Sequence, residues 1–248
     1  MTNLEGKKAI VTGASSGIGN ATARYLSEQG VELAIIGRSE KKLAALAGEL
    51  PAKATAIAGD MADPASIAKA SELAWAQLGS VDVLVHAAGV LTPASIEDMT
   101  VERWREQIDV NLSGSFYMMR ESGLRMKQQG HGSIVSIGSD LSFKGAPMYS
   151  HYCAAKSGVV GLTRAFALEL APTVRVNCVC PGPIDTPMME SEFEWFGGSQ
   201  QTRDEIIGKI PLKRMGAPEE IAAFISFVAF QASFSTGNIL STDGGTTI

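Results

Sequence analysis

The apolar run Lys8-Ala9-Ile10-Val11-Thr12 opens directly into Gly13-Ala14-Ser15-Ser16-Gly17-Ile18-Gly19, and Asn20 to Glu28 follows with helical periodicity that Gly30 closes. A strand, a glycine turn and a helix in that order restrict this chain more than any other feature. Glycines let the backbone come close to a pyrophosphate, and N–H groups at a helix start present partial positive charge to it. The order predicts a nucleotide-binding βα unit, with Gly13, Ser15, Ser16, Gly17, Ile18 and Gly19 at the phosphates. The spacing is Gly-x-x-x-Gly-x-Gly, which differs from the commoner Gly-x-Gly-x-x-Gly.

Val31 to Ile36 reads as a second buried strand, followed by Gly37-Arg38-Ser39. A carboxylate about 20 residues beyond the glycine loop grips the ribose hydroxyls when NAD is the ligand. No acid stands at this bend; Arg38 does, nineteen positions after Gly19. A guanidinium favours the extra phosphate of NADP. Arg38 and Ser39 are therefore expected at the adenosine end, with NADP preferred and NAD possible. The other reading of Arg38 is a solvated side chain at a strand end.

The pattern then repeats. Helical stretches at Glu40–Leu50 and Pro64–Leu78 alternate with strand-like runs at Lys53–Ala58 and Val81–His86. Further strands are expected at Ser133–Ile137, Arg175–Cys180 and Asn238–Ser241, with a long helical stretch, Thr100 to Met126, carrying Asn111. Such alternation implies right-handed crossovers and a parallel sheet covered on both sides. The expected fold is α/β, a doubly wound, mostly parallel seven-stranded sheet with helices on both faces, in one domain over 1–248. Gly59-Asp60-Met61, His86-Ala87-Ala88-Gly89 and Gly138-Ser139-Asp140 fall at strand ends, where such sheets meet a ligand. From 184 to 216 the rhythm is lost, and Met188, Met189, Phe193, Trp195 and Phe196 precede Gly197-Gly198. This region reads as a mobile lid or a subunit-contact arm.

Composition excludes several classes. The net charge is −5 and no lysine- or arginine-rich block stands out, so neither nucleic acid nor a membrane surface is an expected partner. No apolar run reaches the about 20 residues that span a bilayer, and Met1 to Lys8 has no signal-peptide core. Cys153, Cys178 and Cys180 are odd in number and lie in regular elements, so they read as buried thiols, without a metal site or a disulfide frame. A soluble cytoplasmic protein is expected.

Ser150-His151-Tyr152-Cys153-Ala154-Ala155-Lys156 leads into a run of small and apolar residues, Tyr152 to Leu170, that reads as a helix. Tyr152 and Lys156 stand one turn apart on one face. A phenol titrates near pH about 10, and a neighbouring ammonium lowers that value enough to make it an acid/base group. A helix turns about 100° per residue, so His151 is not expected to face the same cleft; His131 and His151 read as surface residues.

Together these features resemble the short-chain dehydrogenase/reductase family over nearly the whole chain. Thr12 to Gly19 is similar to its cofactor loop, and Asn111, Ser139, Tyr152 and Lys156 match its catalytic tetrad. Asp60 matches the adenine contact, and Pro181-Gly182 through Thr186 resembles the nicotinamide-side loop. The resemblance implies a Rossmann-like fold and hydride transfer between a nicotinamide and a carbon bearing a hydroxyl or carbonyl oxygen. Tyr152 is then the proton donor, Ser139 the hydrogen-bond partner of the reacting oxygen, and Lys156 the residue that tunes Tyr152 and holds the nicotinamide ribose. Asn111 is then the holder of a water that links Lys156 to solvent. The implied cofactor contacts also include Met61, Ala87, Ala88, Gly89, Pro181, Gly182, Ile184 and Thr186, besides Tyr152 and Lys156. His86 departs from the family's usual asparagine and reads as a structural histidine in preference to a proton relay.

Substrate-pocket positions, by carry-over and placement, are Ser139, Asp140, Leu141, Tyr152, Pro183, Met188 and Trp195. Their mostly apolar character suits a small hydrophobic secondary alcohol or ketone. An alternative is an activity like that of the 3-oxoacyl-carrier-protein reductases, which use arginines before the fifth and sixth strands to hold their acidic partner. Lys127–Gly130 and Leu170–Val174 contain no arginine, which counts against it. A non-catalytic dinucleotide sensor or scaffold and a nucleotide-sugar epimerase are further alternatives, opposed by the intact tetrad and by chain length and glycine spacing. The resemblance also suggests a homotetramer through the Thr100–Met126 and Tyr152–Leu170 helices, whose apolar residues equally suit core burial.

Overall fold

A computed structural model describes residues 4–248 of the chain. Seven strands, β1 (Lys8–Thr12), β2 (Glu32–Gly37), β3 (Ala54–Ala58), β4 (Val83–His86), β5 (Gly132–Ile137), β6 (Val174–Pro181) and β7 (Ile239–Thr242), form one sheet. Their order is β3-β2-β1-β4-β5-β6-β7. Every neighbouring pair is parallel, so the sheet is wholly parallel among the described residues. Strand order reverses between β1 and β4, and the carboxyl ends flanking that reversal form the crevice where ligands bind such sheets.

Alternate residues feed two cores. Ala9, Val11, Leu33, Ile35, Val83 and Val85 pack against α1 (Gly17–Glu28), α2 (Glu40–Glu49) and α9 (Pro218–Phe230). On the other face Ile10, Ala34, Leu84, Ile134 and Val176 meet α3 (Pro64–Leu78), α5 (Gly114–Gln129) and α6 (Ser150–Leu170). Burial on both faces is why these strands read as continuous apolar runs. Each fully buried Leu, Ile or Val contributes about 1.5–3 kcal/mol, so the sheet is a rigid platform for the loops at its rim.

The long helix expected at Thr100 to Met126 is divided. α4 (Val101–Ile108) passes into a π-helical turn, Asp109–Ser113, before α5 begins. The extra residue per turn keeps the helix continuous while re-aiming the side chains beyond it. Asn111 lies within that turn, and Gly114 packs directly on the Met61 carbonyl.

The 184–216 region is also more regular than its lost rhythm implied. It contains α7 (Pro187–Trp195) and α8 (Gln200–Lys209). Thr186 caps α7 by accepting from the Met189 N–H, and Ser199 caps α8 by accepting from the Thr202 N–H. His131 is exposed, but His151 is fully buried and its Nε2 lies 3.0 Å from the Thr92 carbonyl oxygen. The surface placement of His151 is thus corrected: turning away from the cleft took it into packed protein. Cys178 and Cys180 are buried and all three cysteines are free.

Candidate active site

The glycine loop and the starts of the following elements line an open cleft. Gly13, Ser15, Ser16, Gly17, Ile18 and Gly19 form one wall. Gly13 has φ of +69°, and a Cβ there would meet the Ala88 nitrogen at 2.7 Å and the Ala87 carbonyl at 2.8 Å. Only glycine lets β1 turn this close to the loop after β4. Ser16 makes no side-chain cap bond and the first turn of α1 has no acid, which leaves helix N–H groups directed at the cleft for an anion. Arg38, Asp60, Met61, Ala87, Ala88 and Gly89 complete the far wall. A glycine cradle, an uncapped helix start and a guanidinium fit a dinucleotide phosphate chain.

Ser39 does not line this cleft; its hydroxyl caps α2, accepting from the Lys42 N–H at 3.4 Å. Pro181, Gly182 and Ile184 line a second, adjoining cavity of about 500 Å³, and Thr186 lines both. The two share Ile18, Ala87, Gly89, Thr186 and Met188 as walls, so they lie side by side along one channel-like cleft.

Ser139, Tyr152 and Lys156 face the second cavity. Lys156 Nζ lies 5.6 Å from the Tyr152 ring centroid and donates to the Ile137 carbonyl at 2.9 Å. Burial lowers its pKa to about 8, opposed by Cys178 and Cys180. The Tyr152 phenol is pushed up, first by burial, then by the carboxylates of Glu192 and Asp140, with a Ser139 hydrogen bond opposing. The expected depression of Tyr152 by Lys156 is therefore not seen: the phenol stands above its ordinary range, because it is buried beside two acids. Ser139 Oγ donates to Asp140 Oδ1 at 3.0 Å and accepts from the Leu141 N–H at 3.1 Å.

Asn111 does not line the cavity; its side chain pins the loop after β4. Its Oδ1 accepts from the Val90 N–H at 3.0 Å and its Nδ2 donates to the Val90 carbonyl at 2.9 Å and to Gln107 Oε1 at 3.0 Å. Gly89 separates it from Lys156: a Cβ there would stand 2.9 Å from Asn111 Oδ1 and 3.6 Å from Lys156 Nζ. His86 is buried, with Nδ1 at 3.0 Å from Thr12 Oγ1, which also accepts from the Ala88 N–H. Burial, then the charge of Lys156, holds its pKa down at about 3, so the ring is neutral. Its Nε2 has no partner among the described residues, so the ring is anchored on one side only.

The sequence matches the family model described as enoyl-(acyl carrier protein) reductase over residues 13–247. It is 37% identical to the 3-oxoacyl-[acyl-carrier-protein] reductase FabG of Thermotoga maritima, over 99% of each chain. The chain is a short-chain dehydrogenase/reductase. The aldohexose dehydrogenase of Thermoplasma acidophilum superposes with a TM-score of 0.90 at 34% identity, covering 99% of this chain and 96% of that one. A Beutenbergia cavernae protein, described as an NAD(P)-dependent gluconate 5-dehydrogenase and solved with NADP at low occupancy, also gives 0.90, at 36% identity over 98% of each chain. As a member of this family the chain is a nicotinamide-dependent oxidoreductase acting on alcohol or carbonyl groups.

In this short-chain dehydrogenase/reductase, Asp140, Leu141, Pro183 and Met188 line the same cavity as Ser139, Tyr152 and Lys156. Trp195 does not: it is 43% exposed and meets Phe196 edge-on, and Phe196 is the lining residue. Sequence reasoning missed Lys144, Tyr149 and Glu192, all lining. Glu192 follows Met189 by three and precedes Phe196 by four, so helical spacing from a pocket methionine would have found it.

Proposed function

We propose that the chain interconverts a small ketone and its secondary alcohol, with NADP preferred over NAD. The observation that carries this reading is the pair of adjoining cavities, one lined by the glycine loop and Arg38 and the other by Ser139, Tyr152 and Lys156. A nicotinamide held by Ala87, Gly89, Thr186 and Lys156 would supply or accept the hydride. Tyr152, kept neutral by burial and its acidic neighbours, holds the proton that the carbonyl oxygen takes up. Ser139, its hydroxyl turned from Asp140 to the substrate, offers that oxygen a hydrogen bond and steadies the charge developing on it. Lys156, anchored on Ile137, holds the ribose side and reloads Tyr152. Asn111 fixes the Val90 backbone and so the wall between cofactor and helix α6.

Residues 184–216 act as the substrate lid, since Thr186, Met188, Met189, Glu192 and Phe196 all reach the channel. Exposed Val101, Trp104, Phe116, Leu124 and Leu168 on α4, α5 and α6 support a homotetramer built on these helices, checked by light scattering. Three free thiols suit a reducing compartment, and we place the protein in the cytoplasm. FabG-type relatives keep ketoacyl reduction as a second reading. Lys127 spends its ammonium on the Glu169 carbonyl, leaving little at that rim for an acidic carrier protein. A spectrophotometric screen of ketones and alcohols with both cofactors, followed by the absorbance of the reduced nicotinamide, tests the proposal. No turnover across a broad panel despite NADPH binding would overturn it.

A further inference from the structure

The substrate-side cavity is not uniformly apolar. Leu141, Met188, Met189 and Phe196 line it, but Asp140 and Glu192 stand beside the reacting groups, and the exposed Glu205 and Lys209 of α8, opposite in charge, line it as well. The two carboxylates are differently compensated. Asp140 accepts from Ser139 Oγ on one oxygen, and its other oxygen takes Lys144 Nζ at 2.9 Å and Thr246 Oγ1 at 2.8 Å. Its charge is paired and every contact is made within the protein. Glu192 accepts from the Tyr149 hydroxyl on Oε1, and among the described residues it has no cationic partner and no hydrogen bond through Oε2. Burial and the neighbouring Asp140 charge raise its pKa, which fits an acid whose negative charge is poorly compensated.

The position of Glu192 makes this matter. It is carried by α7, one turn from Met189, and its charge is felt at the Tyr152 phenol across the channel. A substrate whose carbonyl sits at Tyr152 and Ser139 must lay the rest of its body along that wall. Resting on the oxidoreductase reading above, we infer that Glu192 selects ketones and alcohols carrying a second hydrogen-bond donor, a hydroxyl or an ammonium, and rejects those carrying a carboxylate. A donor meets the unshared oxygen of Glu192 in a charge-assisted hydrogen bond. A carboxylate there faces two acids with Lys144 already committed to Asp140, and Lys209, the cavity's other cation, stands exposed on α8 one turn from Glu205; like charge against a partner is how a site excludes a competitor. A bare alkyl group neither gains the bond nor suffers the repulsion, so it falls between the two.

The test takes the ketone turned over fastest in the carbonyl screen and compares matched analogues ending in methyl, hydroxyl, ammonium or carboxylate. For the unmodified enzyme, kcat/KM is expected to be at least about tenfold higher for the hydroxyl and ammonium members than for the carboxylate. Glu192→Gln keeps the shape and removes the charge. It is expected to raise kcat/KM for the carboxylate member, lower it for the ammonium member, and narrow their ratio about tenfold or more. Equal use of ammonium and carboxylate members by the unmodified enzyme would overturn the inference without any variant, and so would a ratio unmoved by Glu192→Gln. A screen that yields no ketone at all overturns the oxidoreductase reading itself, so the two failures are told apart.

Discussion

Lys156 Nζ stands 5.6 Å from the centroid of the Tyr152 ring, while its own hydrogen bond goes to the carbonyl of Ile137 on β5. The pair is thus held by the sheet and not by a direct bond between the two. Burial acts on them in opposite senses, lifting the phenol and lowering the ammonium to about 8. Each is displaced toward its neutral form. A neutral phenol is a proton donor, which suits carbonyl reduction.

Tyr152→Phe removes that proton and nothing else of the ring. Turnover is expected to fall by about a hundredfold or more, while NADPH binding, followed by nicotinamide fluorescence, persists. Lys156→Ala is expected to weaken both, because one side chain serves the phenol and the ribose. Substantial turnover by the phenylalanine variant would remove Tyr152 from the chemistry.

Arg38 is exposed at the end of β2 and lines the cofactor cleft. If its guanidinium binds the 2′-phosphate, Arg38→Ala forfeits a charge-assisted bond of about 1.5–3 kcal/mol. KM for NADPH is then expected to rise about tenfold or more, with KM for NADH little changed. An equal effect on both cofactors would make Arg38 a general contact and end the NADP preference argued from it.

Asn111 satisfies both backbone groups of Val90 from inside the π-helical turn. Asn111→Ala leaves a half-buried N–H and C=O without these partners, a cost of at most about 1–3 kcal/mol for each group left unpaired. Urea denaturation should show that loss even without cofactor, separating this bracing role from any part in proton transfer. A variant as stable as the parent would mean that Val90 finds other partners.

The parts legible in the sequence are those where one residue type has one physical use. The strands were legible because burial on both faces demands uninterrupted Ile, Val, Leu and Ala, and the glycine loop because Gly13 tolerates neither a side chain nor negative φ. The π turn at Asp109–Ser113 was not, since one extra residue in a helix leaves composition and periodicity almost unaltered. Helices α7 and α8 carry cap signals, Thr186-Pro187 and Ser199, that the aromatic cluster between them obscured. Trp195 ends α7 and Phe196 follows it as the C-terminal cap, and periodicity alone could not say which would line the cavity.

His86 supplies a pH dependence with a definite sign. Its pKa is about 3 in the folded protein, against 6.5 for the free side chain, because burial and then Lys156 disfavour the imidazolium. Below the unfolded value the unfolded chain binds a proton that the folded one refuses, so stability falls as pH falls. The contribution is complete above about 6.5 and is lost progressively toward about 3. Between pH 7 and pH 5 this one group is expected to cost the fold about 2 kcal/mol. His86→Asn cannot titrate there, so its stability should decline less over the same interval. Parallel declines for parent and variant in urea denaturation at the two pH values would show that His86 accepts its proton in the folded state, through a partner at Nε2.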